Sequence, residues 1–188
     1  MTPEEVAAFE RCIAAGGVAV FPADTVYGLA CDPDDPAAVE RMYALKGRRP
    51  DKPSALMFFG LDRAQEAFPT QAEILARLLP GAVTVVLPET GVRVPTLDGP
   101  LAPLRTVSRP VLQTSANLAG GPDPRRIDEV PAAIRDGADI VLDGGPLPGT
   151  PSTVVDLTGY EGTGEWRVLR EGAVGIDELA QALSSGAR

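Results

Sequence analysis

Apolar residues at Val6, Phe9 and Ile13 recur at three- and four-residue steps, the spacing of one buried helical face. Thr2, Pro3 and Glu5 supply the N-cap, the first-turn proline and the acid of a capping box, and Gly16-Gly17 stops the helix. The pattern then changes period. Val18 to Phe21 is a short continuous apolar run, which predicts a buried strand. A second helix starts at Pro36 behind Asp35, turns Val39, Met42, Tyr43 and Leu45 inward, and ends at Gly47. Beyond it, residues 55–59, 83–87, 92–94 and 111–114 read as strands, with a helix capped by Thr70 and Glu73 ending near Leu79 and another at 99–107. Strands at 140–142, 153–157 and 166–169 and a closing helix at 176–183 complete the chain.

Helices and strands that alternate in this way predict an α/β fold: a twisted mixed sheet covered by helices, in one domain over residues 1–188. Hairpin-like spacing late in the chain argues against a strictly parallel sheet. The segment from Gly144 to Pro151 is the loosest, and is read as a mobile loop.

Composition narrows the chemistry. The 188 residues carry 17 basic and 26 acidic side chains, a net charge of −9, so any RNA contact must come from a local cationic patch and be weak. There is no histidine, which removes Ser-His-Asp and Cys-His catalysis and imidazole proton transfer. Cys12 and Cys31 lack metal-type spacing and are expected to be reduced. No apolar run approaches the ~20 residues of a membrane span, and a cytoplasmic protein is expected.

Three clusters could carry function. Lys46, Arg48, Arg49 and Lys52 place four cations within seven positions, suited to a small polyanion such as phosphate. The plain reading is a solvated basic turn at a helix end. Thr114-Ser115-Ala116-Asn117 follows a strand and could offer hydroxyl and amide groups to phosphate or carboxylate oxygens, or simply cap a turn. Ser152-Thr153 enters a strand, with Arg170 closing the next, and ordinary edge-strand chemistry would explain both. No Walker or dinucleotide glycine motif is present.

Taken in order, these pieces resemble the YrdC-like threonylcarbamoyl-AMP synthases. The matching segments are Pro22 to Leu29, Lys46-Gly-Arg48 with Lys52-Pro53, Pro80-Gly81 with Thr84, Val92 to Val94 around Arg93, Ser115 to Asn117, Ser152 to Asp156 and Leu169 to Gly172. They span about residues 18–174. Ala23, Ser54 and Asp123 depart from the family pattern.

The resemblance implies a sheet with a positively lined concave face that binds ATP, with Mg²⁺ carried on its phosphates, and L-threonine. It also implies a reaction of both with bicarbonate to give threonylcarbamoyl-AMP and pyrophosphate, the product passing to a transferase that acts on tRNA. On this reading Lys46 and Arg48 are catalytic, and Lys46, Arg48, Lys52, Thr84, Ser115, Asn117 and Arg170 bind ATP. Thr25, Arg93, Ser152 and Thr153 bind threonine, and no protein-held metal is required. The alternatives are a non-catalytic RNA-binding module and a paralogue that makes a different carbamoyl-adenylate.

Overall fold

Four consecutive fully buried residues make β1 (Ala19–Pro22), and its immediate neighbour is a strand of the same kind, β2 (Tyr27–Cys31). The computed structural model describes residues 1–47 and 54–184; Arg48 and Lys52, two of the expected phosphate contacts, lie outside the described residues. α1 (Pro3–Ala14) precedes β1 with the expected capping box, and α2 (Pro36–Lys46) follows β2 with Asp35 as N-cap and Gly47 left-handed at φ 60°.

Next come β3 (Ala55–Met57), α3 (Leu61–Ala67), α4 (Ala72–Leu78), β4 (Val83–Val86), β5 (Gly91–Arg93) and β6 (Val111–Ser115). The chain then forms α5 (Ala132–Gly137), β7 (Ile140–Val141), β8 (Thr153–Asp156), α6 (Tyr160–Thr163), β9 (Arg167–Arg170) and α7 (Ile176–Ser184).

The strands form one nine-stranded mixed sheet in the order β7-β1-β2-β6-β3-β5-β4-β8-β9. The pairs β1–β7, β3–β5 and β4–β8 are parallel and the other five are antiparallel. The fold expected from the sequence, an α/β mixed sheet with helical cover, is the one observed.

Two apolar cores hold it. The larger gathers Phe9, Phe21 and Phe59, whose rings lie 5.4–6.3 Å apart, beneath α1 and α2. The smaller gathers Leu75, Val85, Val155 and Leu179 beneath α4 and α7. Strand alternation decides what is left for function. Val83, Val85 and Val155 enter the smaller core, so Thr84, Val86 and Val154 must face the other side of the sheet.

Three local expectations need correction. Thr70 caps nothing: α4 starts after Gln71 and has no side-chain cap bond. The stretch at 99–107 is a 3-10 helix (Gly99–Thr106); Pro103 inside it withholds an amide donor that an α-helix would use. The segment 144–151 is strapped down. The Tyr27 hydroxyl donates to the Gly145 carbonyl, Leu147 N to Arg125 O and Gly149 N to Thr25 O, all at 2.8–2.9 Å.

Candidate active site

On the face opposite the smaller core, β4, β5, β6, β8 and β9 surround a cavity of about 420 Å³. Small-molecule sites commonly fall between 300 and 1,000 Å³. Thr84, Arg93, Ser115, Ser152 and Arg170 line it, five of the residues singled out in the sequence. Thr25, Lys46, Asn117 and Thr153 stand behind the lining.

Lys46 is the last residue of α2 and is 4% exposed. Its ammonium donates to the Ser115 carbonyl at 2.6 Å and the Asn117 carbonyl at 3.0 Å, and also meets Asn117 Oδ1 and Ser115 Oγ. Asn117 completes the turn: Oδ1 accepts from Ser115 Oγ at 2.8 Å, and Nδ2 donates to the Gly121 carbonyl at 2.6 Å. This lysine is therefore the post around which the Ser115–Asn117 turn is wound. Three ammonium protons among these acceptors leave little for a phosphate.

Arg93, at the end of β5, is 3% exposed. Its Nη2 pairs with Asp24 Oδ1 and donates to Thr25 Oγ1 at 2.6 Å. The second oxygen of Asp24 accepts from Thr96 N at 3.0 Å. Burial pulls the Arg93 guanidinium below its ordinary pKa; Asp24 opposes that, and the charge of Arg170 adds to the lowering. Arg93 Nε is buried with no hydrogen-bond partner among the described residues.

The opposite wall is simpler. Arg170 Nη2 donates to the Ser152 carbonyl at 2.8 Å and lies 3.2 Å from its hydroxyl, which in turn sits 2.9 Å from Thr84 Oγ1. Gly172 permits this arrangement: a Cβ there would stand 2.4 Å from the Pro151 carbonyl and 2.6 Å from that of Ser152. The Thr153 hydroxyl faces away from the cavity, accepting from Val174 N at 3.0 Å and donating to Val174 O at 2.7 Å.

Sequence reasoning passed over several participants. Asp24 lies inside the Pro22–Leu29 segment, where its charge beside two hydroxyl-rich positions was the available signal. Gln113 of β6 and the β4–β5 turn at Glu89 and Thr90 also line the cavity, beside Thr114 of the expected 114–117 cluster. Ser54, one of the departures from the family pattern, is on the lining and accepts from the Tyr43 hydroxyl at 3.0 Å. Tyr27 holds the strap: besides Gly145, its hydroxyl lies 2.9 Å from Asp143 Oδ1 and accepts from Gly144 N. Burial, then the bond to Asp143, pushes its pKa up to about 12.

The open face of this mixed sheet converges two arginines and several hydroxyls on one cavity, an arrangement suited to small anionic molecules. The family model described as Telomere recombination, Sua5/YciO/YrdC, matches residues 11–172, and the chain belongs to this family.

Its relatives include the threonylcarbamoyl-AMP synthase of Pyrococcus abyssi, 32% identical over 89% of this chain. A putative threonylcarbamoyl-AMP synthase of Mycobacterium tuberculosis is 31% identical over 91% of it. The chain spans 54% of the first relative and 85% of the second. Among solved structures, P. abyssi Sua5 complexed with L-threonine superposes with a TM-score of 0.82 at 27% identity, covering 98% of this chain and 58% of that one. Escherichia coli YciO gives 0.74 at 26% identity, covering 95% of this chain and 94% of that one.

Proposed function

We propose that the protein is a threonylcarbamoyl-AMP synthase, acting as one domain over residues 1–188 with its functional core at about 18–174. The observation that carries this is the single cavity on which Arg93 and Arg170 converge from different strands together with Thr84, Ser115 and Ser152. Family membership supports the activity, and the P. abyssi complex supports threonine as a ligand.

The amine of threonine condenses with bicarbonate, releasing water and forming a carbamate. A carbamate oxygen then attacks the α-phosphorus of ATP. The bond to the β-phosphate oxygen breaks, and pyrophosphate leaves with its electron pair. No side chain must act as a strong base, because the substrate supplies the nucleophile. The protein holds the reactants in line and offsets negative charge on the phosphates. Mg²⁺ enters as part of the ATP substrate.

Ser115, Thr84 and Arg170 face the nucleotide, with Lys46 and Asn117 holding Ser115 in place. Arg48 and Lys52 are the further phosphate contacts of this reading. Arg93, with Thr25 and Ser152, receives threonine; the hydroxyl bonding of Thr153 to Val174 favours Ser152 of that pair. The product is handed to a threonylcarbamoyl transferase acting on tRNA, which implies a cytoplasmic location and allows weak RNA contact. Among the described residues no helix is long and apolar enough to cross a membrane.

The test is pyrophosphate release. It should require threonine and bicarbonate together, and 2-aminobutyrate should turn over far more slowly, because a pocket built to pair the side-chain hydroxyl is left with unmatched polar groups. Release that ignores threonine would refute the assignment.

A further inference from the structure

We propose that Asp24 is a positioning residue for the amino-acid half of the site, acting through Arg93; this rests on the proposed assignment of threonine to Arg93. Three observations converge on it. First, Asp24 and Arg93 form an ion pair whose side chains are 8% and 4% exposed, so neither is an incidental surface contact. Second, Asp24 divides its oxygens. Oδ1 takes Arg93 Nη2, while Oδ2 is committed to the backbone amide of Thr96 at 3.0 Å. A carboxylate that grips a guanidinium side-on uses both oxygens against Nε and Nη2. Asp24 does not: its second oxygen is turned to the chain following β5 instead.

Third, among the described residues the guanidinium is held through one nitrogen. The same Nη2 also donates to Thr25, and Nε is left buried without a partner among the described residues. Buried donors of this kind are rare, because each forgoes a hydrogen bond it made in water. The pair thus fixes where Arg93 sits without saturating it, and Arg93 is the member of the pair that lines the cavity. Thr25 is fixed from the other side as well, its carbonyl accepting from Gly149 N at 2.9 Å. Asp24 is not itself on the lining; its effect on an anionic ligand runs through the orientation of Arg93.

The experiment compares the parent, Asp24→Asn, Arg93→Gln and the double variant Asp24→Asn/Arg93→Gln by threonine- and bicarbonate-dependent pyrophosphate release. ATP binding is followed separately by calorimetry. For Asp24→Asn the KM for threonine should rise at least tenfold while ATP affinity stays within twofold of the parent. In the Arg93→Gln background the Asp24 change should add less than twofold, because a residue that works through Arg93 has nothing left to position. The double variant also removes both charges together, so it is the better folded form if Asp24→Asn alone leaves Arg93 buried and unpaired. An unchanged threonine KM in Asp24→Asn, an equal loss of ATP affinity, or full additivity in the double variant would each overturn the proposal. A parent without threonine-dependent release would instead overturn the assigned reaction, so the two failures are distinguishable.

Discussion

The two walls of the cavity are built on opposite principles. On the β2–β6–β5 side, Lys46 and Arg93 are buried and tied to several partners: Lys46 to the Ser115–Asn117 turn, Arg93 to Asp24 and Thr25. On the β8–β9 side, Arg170 is exposed and its side chain meets Ser152, and its neighbour Leu169 is 51% exposed. Strand β9 is also the edge of the sheet. The first wall is coupled to the stability of the fold. The second is coupled mainly to what binds against it, because an exposed group loses little when its partner is removed.

This contrast can be broken most forcefully at Lys46. Lys46→Met keeps the length of the stem but strands buried acceptors at Ser115 and Asn117, each costing about 1–3 kcal/mol. A total near 3–5 kcal/mol should lower Tm by roughly 6–20 °C for a chain of this size, measured by calorimetry. A Tm within 2 °C of the parent would show that the turn holds itself.

Gly172→Ala attacks the other wall. The added methyl meets backbone rather than a pliable side chain, so β9 must shift and take Arg170 with it. We expect about 1–3 kcal/mol, appearing chiefly as weaker ATP binding. Unaltered ATP affinity would show that the edge strand absorbs the methyl without moving its arginine.

Arg170→Ala is gentler: roughly tenfold weaker ATP binding, about 1.4 kcal/mol, with Tm essentially unchanged. If it lowered Tm as far as Lys46→Met does, the distinction between the walls would be lost.

The smallest effect appears only in alkali. Tyr27 has its folded pKa raised to about 12, against about 10 for a free tyrosine. Its contribution is therefore complete below pH 10 and is lost as the pH climbs from 10 towards 12, where the unfolded chain ionises first. Chemical denaturation of the parent should show that decline, and Tyr27→Phe should show a shallower one.

How much of this was legible in the sequence follows the same division. Local signals carried α1, α2 and the strands of the smaller core, because caps and alternation lie within a few residues of each other. β2 was hidden: Tyr27 to Cys31 are buried on both faces between β1 and β6, so no alternation marks them. Helix α3 has Gly60 as its N-cap, with no side-chain cap bond, and left no start signal. At the site, the contacts of Lys46 with the Ser115–Asn117 turn left no local signal, because those acceptors lie 69 and 71 residues further along. Asp24 went unassigned for the same reason, its partner being 69 residues away. The strap at 144–151 looked loose because its anchors at Thr25, Tyr27 and Arg125 are all remote.

The parallel pairing of β4 with β8 joins segments about seventy residues apart, Val83 meeting Thr153. During synthesis the chain emerges from the ribosome with β1 to β6 complete while Ser152 and Arg170 are still to be made. A nascent chain at that stage owns the tied wall and lacks the edge wall, so it offers ATP only half a grip. On the proposed function, nucleotide capture thus waits for β8 and β9 to be made. A chain truncated before β8 should keep most of its larger core and hold the proposed nucleotide more weakly than the whole chain does.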